Sequence, residues 1–72
     1  MLIDAQDHTA NVIISRLRAE ARRTREPRMV TVLSQSVKIA ACAIAWAHVM
    51  GYNADPLEGD TSSFQVLFTP RV

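Results

Sequence analysis

The sequence has few of the residues that build cross-links, phosphate loops or aromatic surfaces. Its 72 residues contain one cysteine, two glycines, three prolines, one tryptophan, one tyrosine and two phenylalanines. A single cysteine excludes an internal disulfide framework and is typical of a reducing compartment, so we predict a cytoplasmic protein. Because Cys42 lies in an alanine-rich segment, we expect a buried thiol. The sequence also has no glycine-rich phosphate loop.

A large net charge and a long uninterrupted apolar run are missing as well. The formal net charge is +1, which gives no field of the whole molecule that would by itself attract nucleic acid or a membrane surface. The N-terminus has no basic segment followed by an apolar run, so no signal peptide is predicted. Residues 29–50 are long enough to cross a bilayer, but polar side chains interrupt them repeatedly. We therefore predict no membrane association.

The residues that often carry catalysis or bind metals do not form a known pattern. Asp4, Asp7 and His8 stand close together at the N-terminus, but without a second cluster they predict helix capping rather than a closed metal site. Cys42 and His48 are six residues apart, a spacing that separates them on a helix. We expect His48 to be a hydrogen-bonded, partly buried histidine. The sequence thus predicts a protein that is not an enzyme and needs no metal or other cofactor.

What the sequence does contain is helical periodicity. Over about residues 5–24, apolar side chains recur at spacings of three and four and make one stripe through Leu17 and Ala21. Acidic residues precede this stripe and arginines follow it, as the helix dipole favours. Pro27 disfavours continuation of the helix, so a reversal of the chain is expected there.

The most apolar stretch, residues 30–50, allows two interpretations. As one helix over about residues 28–51, it would carry a seam that begins at Val30, Leu33 and Val37 and ends near Gly51, a candidate left-handed helix cap. Alternatively, residues 29–33 form a short strand, and Ser34 or Ser36 caps a helix that begins near Val37. We favour the single helix because its periodicity runs through the whole stretch.

The predicted fold class is α+β and mainly helical. A two-helix hairpin at about residues 5–24 and 28–51 is followed by a C-terminal strand at about residues 63–69, within one small domain of residues 1–72. A lone strand cannot satisfy its own backbone hydrogen bonds, and the second helix has more apolar surface than one neighbour can cover. We therefore predict a homo-oligomer, with dimerisation completing the fold. Its expected interface is the second apolar row of that helix: Ile39, Ala43, Trp46 and Met50.

Six arginines within residues 16–28 are the main functional candidate. Arginine and exposed aromatic side chains are common anchors in protein interfaces. We predict a non-enzymatic interaction protein that binds and occludes a macromolecular partner; its small size and its arginine-for-lysine bias are compatible with a phage or mobile-element accessory inhibitor. The alternative is a nucleic-acid or nucleotide-binding protein that places the same arginines on phosphates, although no aromatic residues interleave them for base stacking. The predicted contacts are Arg18, Arg22, Arg23, Arg25, Arg28, Tyr52 and Phe64.

Overall fold

Two helices pack against one face of a four-stranded sheet. The computed structural model describes residues 1–70. The two helices have 14 and 13 residues, and neither is long and apolar enough to cross a membrane. In chain order the elements are β1 (Leu2–Asp4), α1 (Ala10–Arg23), β2 (Arg28–Leu33), α2 (Val37–Val49), β3 (Asn53–Leu57) and β4 (Asp60–Phe68).

The sheet is mixed, with strand order β1-β2-β4-β3. β1 lies parallel to β2, with Leu2 beside Thr31, so α1 is the crossover that a parallel pair requires. β4 runs antiparallel to both β2 and β3. β3 is an edge strand, which is where Pro56 is tolerated because it donates no hydrogen bond to the sheet. The register of the β3–β4 pair shifts just after this proline.

The predicted helical hairpin with a single C-terminal strand is wrong. Residues 29–33, which we favoured as the start of a helix, lie in β2, between β1 and β4. The alternative interpretation is the correct one, since α2 begins at Val37 and the Ser36 side chain accepts a hydrogen bond from the Ile39 N–H at 3.3 Å. The sheet also explains why β4 needs no second copy of the chain: β2 and β3 supply its backbone partners.

Two strands were not predicted at all. β1 has only three residues, one of them Asp4, so it is too short to show a period of two. β3 contains Asp55 and Pro56, residue types that are typical of turns rather than strands. Both strands lie at the edges of the sheet, where polar residues and proline are permitted. The amino-acid composition of an edge strand therefore does not identify it as a strand in the sequence.

The end of α2 was predicted correctly. Gly51 has a φ of 86°, in the left-handed region that favours glycine. The Gly51 N–H donates to the His48 carbonyl at 3.1 Å, and the Tyr52 N–H donates to the Ala47 carbonyl at 2.9 Å. This pair of hydrogen bonds is a Schellman motif, which satisfies the last carbonyl groups of the helix and turns the chain into β3.

The core lies between the helices and the sheet. From the sheet it contains Val30, Val32, Phe64, Val66 and Phe68, all fully buried. α1 contributes Ile13 and Leu17, whereas α2 contributes only alanines at its buried positions: Ala40, Ala43 and Ala47. Small side chains allow α2 to lie close to the strands. Cys42 is on the opposite side of α2 and is exposed, so the prediction of a buried thiol is wrong.

Candidate functional site

A groove of about 560 Å³ lies beside the C-terminal ends of the two helices. Its walls come from three parts of the chain: the end of α1 with the residue after it, the last turn of α2 with its C-cap Met50, and Tyr52, just before β3. We call it the arginine–tryptophan groove, defined by its lining residues Arg18, Ala21, Arg22, Thr24, Trp46, Met50 and Tyr52.

Two arginines form the basic wall of the groove. Arg18 and Arg22 are four residues apart on α1, so their side chains lie on the same face of the helix. Both residues are exposed. The ion pairs of residues 1–70 join Glu20 to Arg23 and Arg28, so Arg18 and Arg22 have no carboxylate partner within this part of the chain. Two guanidinium groups are thus available to an external anion.

The opposite wall is aromatic. The Tyr52 ring packs edge-on against the fully buried Phe68, with ring centroids 4.9 Å apart and an interplanar angle of 87°. Trp46 lies next to Tyr52, with centroids 6.4 Å apart and planes inclined at 42°. Tyr52 is therefore fixed by the core and in turn supports the indole. Because the two rings are inclined, Tyr52 does not stack flat on the indole face.

Glu20 pairs with two arginines that are not among the lining residues of the groove. It is 4% exposed, and its carboxylate lies 3.9 Å from an Arg23 nitrogen and 3.5 Å from an Arg28 nitrogen. An Arg28 nitrogen also lies 3.2 Å from the sulfur of Met1. Arg23 and Arg28, both predicted partner contacts, are therefore engaged with a carboxylate of the same chain. Of the six arginines, Arg23 and Arg28 pair with Glu20 and Arg18 and Arg22 line the groove, while the other two belong to neither pair.

The remaining predicted contacts lie elsewhere. Arg25 is exposed in the turn after α1, outside the lining of the groove as residues 1–70 define it. Phe64 and Ala43 are fully buried, because Phe64 lies on the helix-facing side of a central strand and Ala43 faces the sheet. Neither side chain can make the surface contact that the sequence predicted. Ile39 is partly buried against the same core.

Polar residues that could bind a metal or act in catalysis make hydrogen bonds within the fold. Among residues 1–70, no group of three His, Cys, Asp or Glu side chains could hold a metal ion. The Nε2 atom of His48 lies 3.0 Å from the Ala54 carbonyl oxygen and links α2 to β3. Hydrogen bonds from the Ser62 hydroxyl and then from the Ser63 hydroxyl, with one from the Ser62 N–H, lower the pKa of Asp60, an exposed residue at the start of β4.

A second hollow, of about 60 Å³, lies at the N-terminal end of α1. Its lining includes Ile3 from β1 and Ile13 from α1, together with His8 and Arg16. It has room for only one or two water molecules. The arginine–tryptophan groove is therefore the better candidate for a ligand site.

No protein-family model matches this chain. No curated protein matches it either. A structural match exists to a SirA-like protein from Desulfitobacterium hafniense, with a TM-score of 0.74 and 23% sequence identity, covering 94% of this chain and 93% of that chain. The fold is SirA-like. At this identity the similarity shows the fold alone, so the SirA-like sheet and helices carry no activity or partner over to this chain.

Sequence reasoning found most of the groove without recognising it as one site. Arg18, Arg22 and Tyr52 were predicted to contact a partner or phosphate, whereas Trp46 and Met50 were assigned to an oligomer interface. The SirA-like fold brings all five to one groove. The sequence could indicate the groove only through two pairs of residues spaced four apart. One pair is Arg18 and Arg22 on α1, and the other is Trp46 and Met50 at the end of α2. Only the packing of α1 against α2 joins the pairs.

Proposed function

We propose that this protein is a non-enzymatic binding protein whose arginine–tryptophan groove holds an anionic segment of a macromolecular partner. The observation that carries the proposal is the meeting of two guanidinium groups, unpaired within residues 1–70, with the aromatic wall of Trp46 and Tyr52. The rest of this small domain would cover the partner's surface around the bound segment. Binding would occlude the partner in this way.

The charges of the groove support an anionic ligand. Within residues 1–70, the lining carries two positive charges and no negative one. A guanidinium group presents a planar fork of donors to carboxylate or phosphate oxygens, and charge-assisted hydrogen bonds are about twice as strong as neutral ones. Arginine and tryptophan are also the residue types that most often dominate binding energy at interfaces. These two residue types together favour binding through a few strong contacts rather than through a large interface.

The chemistry of the lining supports binding rather than catalysis. Guanidinium groups stay protonated at neutral pH and cannot act as general bases. The Thr24 hydroxyl donates to the Glu20 carbonyl oxygen at 2.9 Å, so it is already used to close the end of α1. Among the described residues, the groove lining holds no histidine, cysteine or carboxylate that would take up a proton.

The single tryptophan provides the test. Because Trp46 is the chain's one indole and lines the groove, its fluorescence reports directly on whether the groove is occupied. The protein is titrated with a short acidic peptide and with a short single-stranded oligonucleotide at low and high salt. We expect at least one of them to change the Trp46 emission, with affinity falling as salt rises.

Matched arginine variants localise the effect. Arg22→Ala is expected to weaken binding about tenfold, since one charge-assisted hydrogen-bonding group is removed. Arg25→Ala removes the same charge from the same cluster but outside the groove, so its affinity should match the wild type. Equal losses in the two variants, or no emission change with either probe, would show that the groove is not the binding site.

A further inference from the structure

We infer that the anion bound in the arginine–tryptophan groove is the phosphate monoester of a nucleotide whose base stacks on Trp46. The inference rests on the proposed binding function and names its ligand class. The nucleotide is the 5′-phosphorylated end of a nucleic-acid strand, which would be the macromolecular partner. A free nucleoside 5′-monophosphate has the same phosphate and base and therefore serves as a probe of the site.

The charge of a phosphate monoester matches the groove better than that of a carboxylate. A monoester carries about −1.5 to −2 at neutral pH and three strong acceptor oxygens. Arg18 and Arg22 together offer two positive charges on one helix face. A carboxylate would neutralise only one of them and would leave the second guanidinium without a partner.

The aromatic wall of the groove supplies the side chains for base stacking that the arginine-rich residues 16–28 do not contain. Residues 16–28 contain no aromatic side chain, yet the fold places Trp46 and Tyr52 across the groove from Arg18 and Arg22. Stacking of a base on an aromatic side chain strengthens binding for every type of base, because every base has a π-face. Trp46 is half-buried and lines the groove, so part of its indole is accessible from the groove. A planar base can therefore lie against the indole while its phosphate lies among the arginines.

The size of the groove limits the ligand to one nucleotide. Its volume of about 560 Å³ falls within the usual range of about 300–1,000 Å³ for small-molecule sites. Arg23 and Arg28 pair with Glu20 and are not among the lining residues, so the groove itself offers a ligand the two charges of Arg18 and Arg22. Because both arginines would act through their charge, the affinity should fall as the salt concentration rises.

The experiment compares ligands that differ by one group. Trp46 emission, excited at the red edge where nucleobases do not absorb, is followed during titration with adenosine 5′-monophosphate, adenosine and inorganic phosphate. We expect the nucleotide to bind more tightly than either of its parts, and Arg22→Ala to weaken it about tenfold while Arg25→Ala leaves it unchanged. Equal affinity for the nucleotide and inorganic phosphate would overturn the stacked base.

Two further arms separate the sources of the ligand and the two levels of the proposal. An oligonucleotide with a 5′-phosphate is compared with the same strand ending in a 5′-hydroxyl and with the free nucleotide. Tightest binding of the phosphorylated strand supports the strand end, whereas tighter binding of either of the other two overturns it. A phosphotyrosine peptide or an acidic peptide that binds more tightly than every nucleotide overturns the nucleotide but keeps the proposed function. Failure of all anions overturns both.

Discussion

Glu20 is a buried carboxylate on a helix whose other polar residues are exposed or half-buried. In the sequence it stands among arginines, a position that is typical of an ion-paired surface residue. In the fold it is 4% exposed and joins α1 to β2 through Arg28, with Arg23 as a second partner on its own helix. Burial makes this carboxylate dependent on its partners, since a buried charge without a partner is strongly destabilising.

Removal of the Glu20 charge should lower the stability of the fold. For Glu20→Gln we expect a loss of about 1–2 kcal/mol in the free energy of unfolding, because two ion pairs are lost while the side-chain volume is kept. The loss stays modest because the arginine side chains, 76% and 40% exposed, can be hydrated by water. Urea unfolding with an unchanged slope measures the loss.

The matched control for this prediction is Glu26→Gln. Glu26 is a glutamate of the same charged segment but lies exposed in the turn after α1. Its substitution should leave the urea midpoint within about 0.5 kcal/mol of the wild type, as is usual for exposed surface positions. If both variants lose the same stability, the Glu20 ion pairs do not contribute specifically.

At the scale of the elements, the apolar residues of β2 fit both the spacing of a helix and the alternation of a strand. Val30, Leu33 and Val37 have helical spacing, and the same segment also alternates, with Val30 and Val32 fully buried and their neighbours less so. A period of two over six residues is a weak signal beside a longer helical one. The pairing of β2 with β1 and β4 decides between them, and these partners lie far away in the sequence.

The boundary between β2 and α2 depends on Ser36. Its side chain accepts from the Ile39 N–H and begins α2 at Val37, so the helix cannot extend back into β2. Ser36→Ala should reduce the free energy of unfolding by about 1 kcal/mol, the usual loss for an N-cap serine. Thermal or urea unfolding measures the change.

Ser36→Asp is the informative control at this position. Aspartate is as good an N-cap as serine and also favours the positive end of the helix dipole. We expect stability equal to or above that of the wild type. A loss as large as that of Ser36→Ala would indicate that the hydroxyl has another role than capping.

At the scale of the whole molecule, the basis for self-association has changed. The unpaired strand no longer requires a second copy, and Ala43 of the expected interface row packs in the core. Large exposed apolar side chains occur instead on the open face of the sheet, at Leu2 and Met29, and on the outer side of α2, at Val37 and Val49. Formation of a homo-oligomer remains a prediction, now based on these surfaces.

Light scattering at micromolar concentration tests the oligomer. We expect a mass above that of one 8.0 kDa chain, because the core of so small a domain contributes little stability by itself. Replacement of Leu2 and Met29 by serine, compared with the same change at Val37 and Val49, shows which surface is used: the pair whose loss yields the monomer lies in the interface. A well-folded wild-type monomer would contradict the prediction.

The sequence by itself determined the features that depend on neighbours within a few residues. The amphipathic stripe of α1, the glycine cap after α2 and the alternating apolar face of β4 all arise from local hydrogen bonds and local spacing. Each was visible before the fold was known, although β4 begins at Asp60, somewhat before the predicted strand.

The tertiary structure decided what depends on distant partners. β1, β2 and β3 exist as strands because residues far along the chain supply their hydrogen bonds, and short edge strands carry little periodicity of their own. The same holds for the groove. Arg22 and Trp46 are 24 residues apart in the sequence, and only the packing of both helices on one sheet face makes them two walls of one site.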